Sequence, residues 1–119
     1  MLKALRNGKV LWFLPDQDHG RSQSVFVDFF GQPAATITST TWFTKHAKVR
    51  VHPVIIHRTQ DGMTIKIQPA LENFPGRSPQ EDAQRLMNLL EQTLQQNPED
   101  YMWVHRRFKT RPEGFPSVY

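Results

Sequence analysis

VLWFLPDQDHGRSQSVFVDFFGQPAAT, residues 10–36, decides the architecture: a saturated apolar run, a knot of charge and turn residues, then a second apolar run closed by a glycine. Residues 10–14 are apolar without interruption and end at Pro15, the pattern of a parallel strand covered on both faces. Such a strand needs neighbours on each side and layers above and below, so the stretch predicts an α/β domain with a mixed sheet. The loop PDQDHGR then concentrates two carboxylates, an imidazole and a guanidinium directly after that strand. Chemistry is expected there.

Upstream, Leu2 and Leu5 lie three apart and Gly8 stands where a helix end takes a left-handed residue, so residues 2–7 read as a last helical turn. Downstream, residues 25–30 read as a short strand, and Gly31, Gln32 and Pro33 turn the chain toward Thr36 or Thr38, either of which could cap a helix reaching about Lys48. Residues 49–57, VRVHPVIIH, predict a strand with a bulge or bend at Pro53. Asp61 and Gly62 signal a hairpin, and Met63, Ile65 and Ile67 alternate with polar residues as in an antiparallel strand near an edge. Ser78, Pro79 and Glu81 form a capping box that opens one long helix over residues 79–96, with Ala83, Leu86, Met87, Leu90 and Leu94 on its apolar face. Asn97 and Pro98 stop it, and the aromatic, basic tail is expected as a short turn followed by extended chain.

The 119 residues suffice for one domain, and no repeat or low-complexity linker divides them. The absence of cysteine excludes disulfides and thiolate metal sites and fits a reducing compartment. A formal charge of +4 points to acidic partners: nucleic acid, anionic lipid headgroups or an acidic carrier protein. No apolar run is long enough to span a membrane, and MLKALRNGK is too short and too charged for a signal peptide.

Asp16 and Asp18 are two apart, so in extended chain both carboxylates point the same way and could hold a hydroxyl, an arginine or a metal. The competing reading is a turn in which aspartate accepts from backbone amides. His19 would add a ligand, yet no distant partner completes a metal set. His52 and His57 fall on opposite faces of a regular strand and cannot share a metal. Ser22 and Ser24 lack a nucleophile elbow. Arg106, Arg107, Lys109 and Arg111 crowd a segment with Trp103, His105 and Phe108, a cluster able to bind phosphates while its rings dock on the domain or on lipid. No reading helix, RNP-like strand or KH loop supports a nucleic-acid module.

Several blocks in this order, PDQDHGR with SVFVDFFGQPAAT, the strand containing residues 49–56, LENFPG, and YMWVHRRFKTRPEG, resemble the C-terminal part of the lipid A biosynthesis lauroyl/myristoyl acyltransferases of the bacterial inner membrane. The resemblance implies a partial glycerolipid-acyltransferase-like sandwich and transfer of an acyl chain from acyl carrier protein to a hydroxyl of a Kdo-bearing lipid A precursor. A His-x4-Asp/Glu pair supplies the base in that family. Five residues beyond His19, His46, His52, His57 and His105 stand Ser24, Val51, His57, Gly62 and Thr110, so no histidine here has its acid.

The resemblance therefore implies that the catalytic histidine, the membrane anchor and about half of the fold belong upstream of Met1, and that this chain is a truncated or split member, inactive alone. It implies acceptor-binding or site-wall roles for Asp16, Asp18 and Arg21; the basic tail matches the family's terminal block, and from its charge we expect headgroup-phosphate or carrier contacts at Arg106, Arg107, Lys109 and Arg111. Asp28 stands where the family pattern expects proline. No cofactor is implied. The expected partners are acyl carrier protein, the lipid A precursor and the cytoplasmic surface of the inner membrane. The alternative is a noncatalytic module that binds anionic lipid or an acidic carrier, and the isolated piece is expected to expose apolar surface and an open sheet edge.

Overall fold

Turn residues cut the chain into short elements, and the computed structural model, which describes residues 1–119, orders them as α1 (Leu2–Arg6), β1 (Ser24–Phe29), β2 (Gln32–Ile37), α2 (Ser39–Ala47), β3 (Val54–Thr59), β4 (Gly62–Ile67) and α3 (Pro79–Gln96). Single 3-10 turns at Arg21–Gln23, Pro98–Asp100 and Trp103–His105 complete the regular structure. The chain is mixed α and β, but its strands form two separate antiparallel hairpins, β1–β2 and β3–β4, in place of the expected single mixed sheet.

The first hairpin turns at Phe30 (φ 53°) and Gly31 (φ 71°), the two left-handed residues that a tight hairpin turn requires. It places Phe29 opposite Gln32 and Ser24 opposite Ile37. Residues 32–37, expected as turn and helix start, are thus a strand. Its alanines are too small to signal one, and they are buried because the neighbouring elements close directly onto the backbone. Of the two caps expected, Thr38 takes the N-cap position of the helix, which starts at Ser39 and ends with Lys48 as its C-cap, though the Thr38 side chain makes no capping bond.

α3 is built as its sequence dictates. The Ser78 hydroxyl accepts from the Glu81 amide at 3.1 Å and Pro79 takes the first turn. Its apolar face lies across the first hairpin, and Ala83, Met87 and Leu94 join Val27, Phe29, Ala34 and Phe108 in the core. Gln84 and Gln80 tie the helix to the edge of β1, Gln84 exchanging bonds with the Asp28 amide (2.8 Å) and carbonyl (2.9 Å), Gln80 donating to the Phe26 carbonyl. Arg85 donates to the Glu72 and Asn73 carbonyls at 2.8 and 2.9 Å, which holds the LENFPG loop against the same helix.

The second hairpin is different. β3 and β4 pair from Val54–Ile67 to Thr59–Gly62, yet every residue of β4 is exposed. Residues 49–53 do not pair in regular strand structure, so the expected strand is shorter and starts after Pro53, whose missing N–H stops the ladder.

Residues 10–14 correct the opening expectation most clearly. They run extended but belong to neither sheet, with Val10, Trp12 and Leu14 exposed and Leu11 and Phe13 half-buried. An alternating pattern with no strand on either side is what a strand shows when these 119 residues provide it no partner.

Candidate functional site

The acidic loop turns sharply at Pro15 and Asp16, so its carboxylates do not point together as extended chain would have them. Asp18 is buried and acts as a clasp: Oδ1 accepts from the Gly20 amide and Oδ2 from the Thr110 amide, both at 2.9 Å. This is the backbone-capping role the spacing left open. Arg21 extends the clasp by donating to the Arg111 carbonyl at 2.6 Å. The loop and the basic tail, 92 positions apart at the Asp18–Thr110 bond, form one unit.

Asp16 faces another way. Its carboxylate lies 3.8 Å from His105 Nε2, and that nitrogen shares a 2.9 Å hydrogen bond with the Tyr101 hydroxyl. The Tyr101 hydroxyl is held strongly in its neutral form, first by burial and next by the Asp16 charge. Spacing gave no signal for Tyr101; His105 was visible only as part of an aromatic, basic block.

The four tail cations separate into two kinds. Arg107 is 0% exposed and donates to the Ala35 carbonyl at 2.6 Å, to Thr36 Oγ1 at 2.5 Å and to Met87 Sδ at 3.4 Å, with its guanidinium 5.7 Å over the Phe29 ring. Burial lowers its pKa, and the nearby Tyr101, Asp16 and Asp18 groups oppose that shift. Arg111, also buried, donates to the carbonyls of Pro33 (3.0 Å) and Pro116 (3.2 Å) and to Gln32 Oε1 (3.0 Å). These two guanidiniums are turned inward and pin the tail across β2. Arg106 and Lys109 are exposed and remain open to an anionic group.

A groove of about 1510 Å³ runs along this site. Its walls are the 10–14 segment, the second hairpin and the Leu86, Leu89 and Leu90 side of α3, and Asp16 and Tyr101 belong to its lining. The lining also contains a pair no sequence spacing indicated: His57 Nδ1 donates to Asp100 Oδ2 at 2.5 Å, while Asp100 Oδ1 accepts from the Arg58 amide at 3.2 Å. The His57 bond, foremost, holds the Asp100 carboxyl below its ordinary value. No three carboxylate or imidazole groups gather as a metal site, and His19 is exposed and apart from the clasp.

An apolar trough with a carboxylate, a phenol and an imidazole in or beside its wall sets a polar centre next to an apolar groove, the layout of apolar-ligand sites as a class. Comparison with known proteins gives that class its family. The family model described as bacterial lipid A biosynthesis acyltransferase matches residues 1–110, and the chain belongs to that family. It is 41% identical over 124 residues to the lipid A biosynthesis lauroyltransferase of Escherichia coli (strain K12), covering 100% of this chain and 40% of the relative. It is similar also to the palmitoleoyltransferase (38% over 120 residues, 98% of this chain, 39% of the relative) and the myristoyltransferase (31% over 120 residues, 99% and 37%) of lipid A biosynthesis from the same organism. The chain thus spans about two fifths of the length of the curated relatives it matches.

Proposed function

We propose that this chain forms the acceptor-side wall of a lipid A acyltransferase, as the C-terminal part of its catalytic domain. In the reaction an acyl group passes from acyl carrier protein to a hydroxyl of a Kdo-bearing lipid A precursor: the hydroxyl gives its proton to a base, its oxygen bonds the acyl carbon, and the carrier thiolate leaves. With no His-x4-Asp/Glu pair among these 119 residues, the base comes from the three fifths of the relatives' length that the chain does not match. In the whole enzyme residues 10–14 become a paired strand of a glycerolipid-acyltransferase-like sandwich.

The observation that carries this reading is the junction of the 16–21 loop with the 101–111 segment beside the apolar groove. Asp16 is left to face the acceptor, while Asp18 and Arg21 shape the wall by holding the loop. Arg106 and Lys109 meet a headgroup phosphate or the acidic carrier; Arg107 and Arg111 serve by positioning them. This part of the enzyme lies peripherally at the cytoplasmic face of the bacterial inner membrane, and no helix of this chain is long and apolar enough to cross it.

The test is transfer from an acyl carrier protein thioester to a Kdo-bearing lipid A precursor. The chain alone is expected to be inactive, and a chimera in which it replaces the matching segment of the Escherichia coli lauroyltransferase is expected to be active. Asp16→Ala in that chimera should lower kcat by about 10²-fold, the scale of a mispositioned reactant. Robust transfer by the short chain would sink the assignment of the base to the unmatched part.

A further inference from the structure

Residues 1–15 and 29–60 contain no aspartate or glutamate, and the fold brings much of this acid-free sequence onto one face. Arg6 Nε and Nη2 donate to the His46 carbonyl at 3.1 and 2.9 Å, which locks the end of α1 against the end of α2. Lys3, Arg6 and Lys9 are thereby set beside Lys45 and Lys48, all exposed. Two helix C-termini attract cations, but each carries only about half a unit of negative charge, so five cations exceed what the dipoles call for.

Aromatic groups border the same cations. Trp42, Lys45 and His46 share one side of α2; Trp42 is 47% exposed and stacks on His46 at 4.4 Å. Trp42 also meets Phe43 edge-on, with ring centroids 5.3 Å apart. Unpaired cations with an exposed indole beside them suit an interface where the ring enters the headgroup layer and ammonium groups stay among phosphates.

We propose that the face made by α1, Lys9 and the C-terminal end of α2 docks on an anionic phospholipid surface. It deepens the peripheral-membrane part of the proposed function and moves the lipid contact away from the tail, where two of the four cations are turned inward. A specific protein partner would call for cations held in fixed geometry, whereas among these five only Arg6 has a fixed partner.

The experiment is cosedimentation of the 119-residue chain with phosphatidylcholine vesicles that contain or lack phosphatidylglycerol, read with tryptophan emission. Binding should require phosphatidylglycerol, weaken with salt and shift the emission to the blue. Lys45→Glu with Lys48→Glu should lower partitioning by about tenfold or more, while Lys66→Glu with Arg77→Glu, an equal change of net charge elsewhere, leaves it within about twofold. Should circular dichroism show that the first pair unfolds the chain, Lys3→Glu with Lys9→Glu replaces it. Equal losses in both double variants, equal binding to uncharged vesicles, or capture of an acidic carrier protein with no vesicle binding would each overturn the assignment. Vesicle binding without transfer by the chimera would remove the acyl-transfer reading and leave this face standing; transfer from a detergent-dispersed acceptor without vesicle binding would do the reverse.

Discussion

Asp18 and Asp16 are chemically identical and do opposite work, because one has spent its lone pairs on the backbone and the other has not. Asp18 is buried with both oxygens accepting amide protons from segments that otherwise have no reason to meet. Asp18→Ala should therefore destabilise the chain by about 1–3 kcal/mol, the cost of orphaning buried amides, as read in urea unfolding. Asp16→Ala should cost under about 1 kcal/mol, since its loss leaves no buried backbone group unpaired. Equal costs at the two positions would mean that Asp16 is also a structural clasp and would withdraw it from the acceptor. The arginines divide the same way: a guanidinium is read from sequence as surface charge, yet Arg107 has carbonyl, hydroxyl and thioether partners inside. Sequence located the cluster; only three dimensions could sort inward from outward.

At the scale of elements, the second hairpin is held by a latch more than by a core. β4 buries nothing, and the Asp100 carboxylate joins β3 through the His57 ring and the Arg58 amide. The Asp100 carboxyl titrates below the ordinary 3.8 when folded. Its contribution is thus complete above that value and is lost as pH falls through the lower, folded one. Amide exchange in β3 and β4, corrected for intrinsic rates, should stay flat from neutral pH down to about 3.8 and then rise. Asp100→Asn should raise it already at neutral pH. Protection failing well above 3.8 would place the latch in another group. The neighbouring elements show what sequence could tell. α3 was legible because its cap, proline and apolar stripe agree; the Asp61–Gly62 hairpin was legible from turn chemistry. β2 was not, since alanines and Pro33 carry no strand signal and its burial comes from α3 and Arg107, far away in the chain. The 10–14 run did signal a strand, but pairing is a property of neighbours, and these residues find none here.

For the whole molecule, the shape records how little of the apolar surface is covered. The radius of gyration is 15.0 Å and the thickness 22 Å, where a compact chain of this length would have a radius near 13.5 Å. Only 17 of 119 residues are buried, so α3, the first hairpin and the tail carry the stability while the groove face stays open. Ile65 and Ile67, 61% and 69% exposed on β4, are apolar without being core. Replacing both by threonine keeps their β-branched shape and should change unfolding free energy by no more than about 0.5 kcal/mol, the range of surface substitutions. The same change should reduce binding of the dye ANS and raise solubility, because it removes part of a continuous exposed patch. In the lauroyltransferase chimera the expectation reverses: if that face is where the rest of the acyltransferase packs, the double threonine variant should lose about 1–3 kcal/mol or fail to assemble. A loss of that size already in the short chain would show that β4 is packed on its own; neutrality in both would mean that this face stays solvent-facing in the chimera as well.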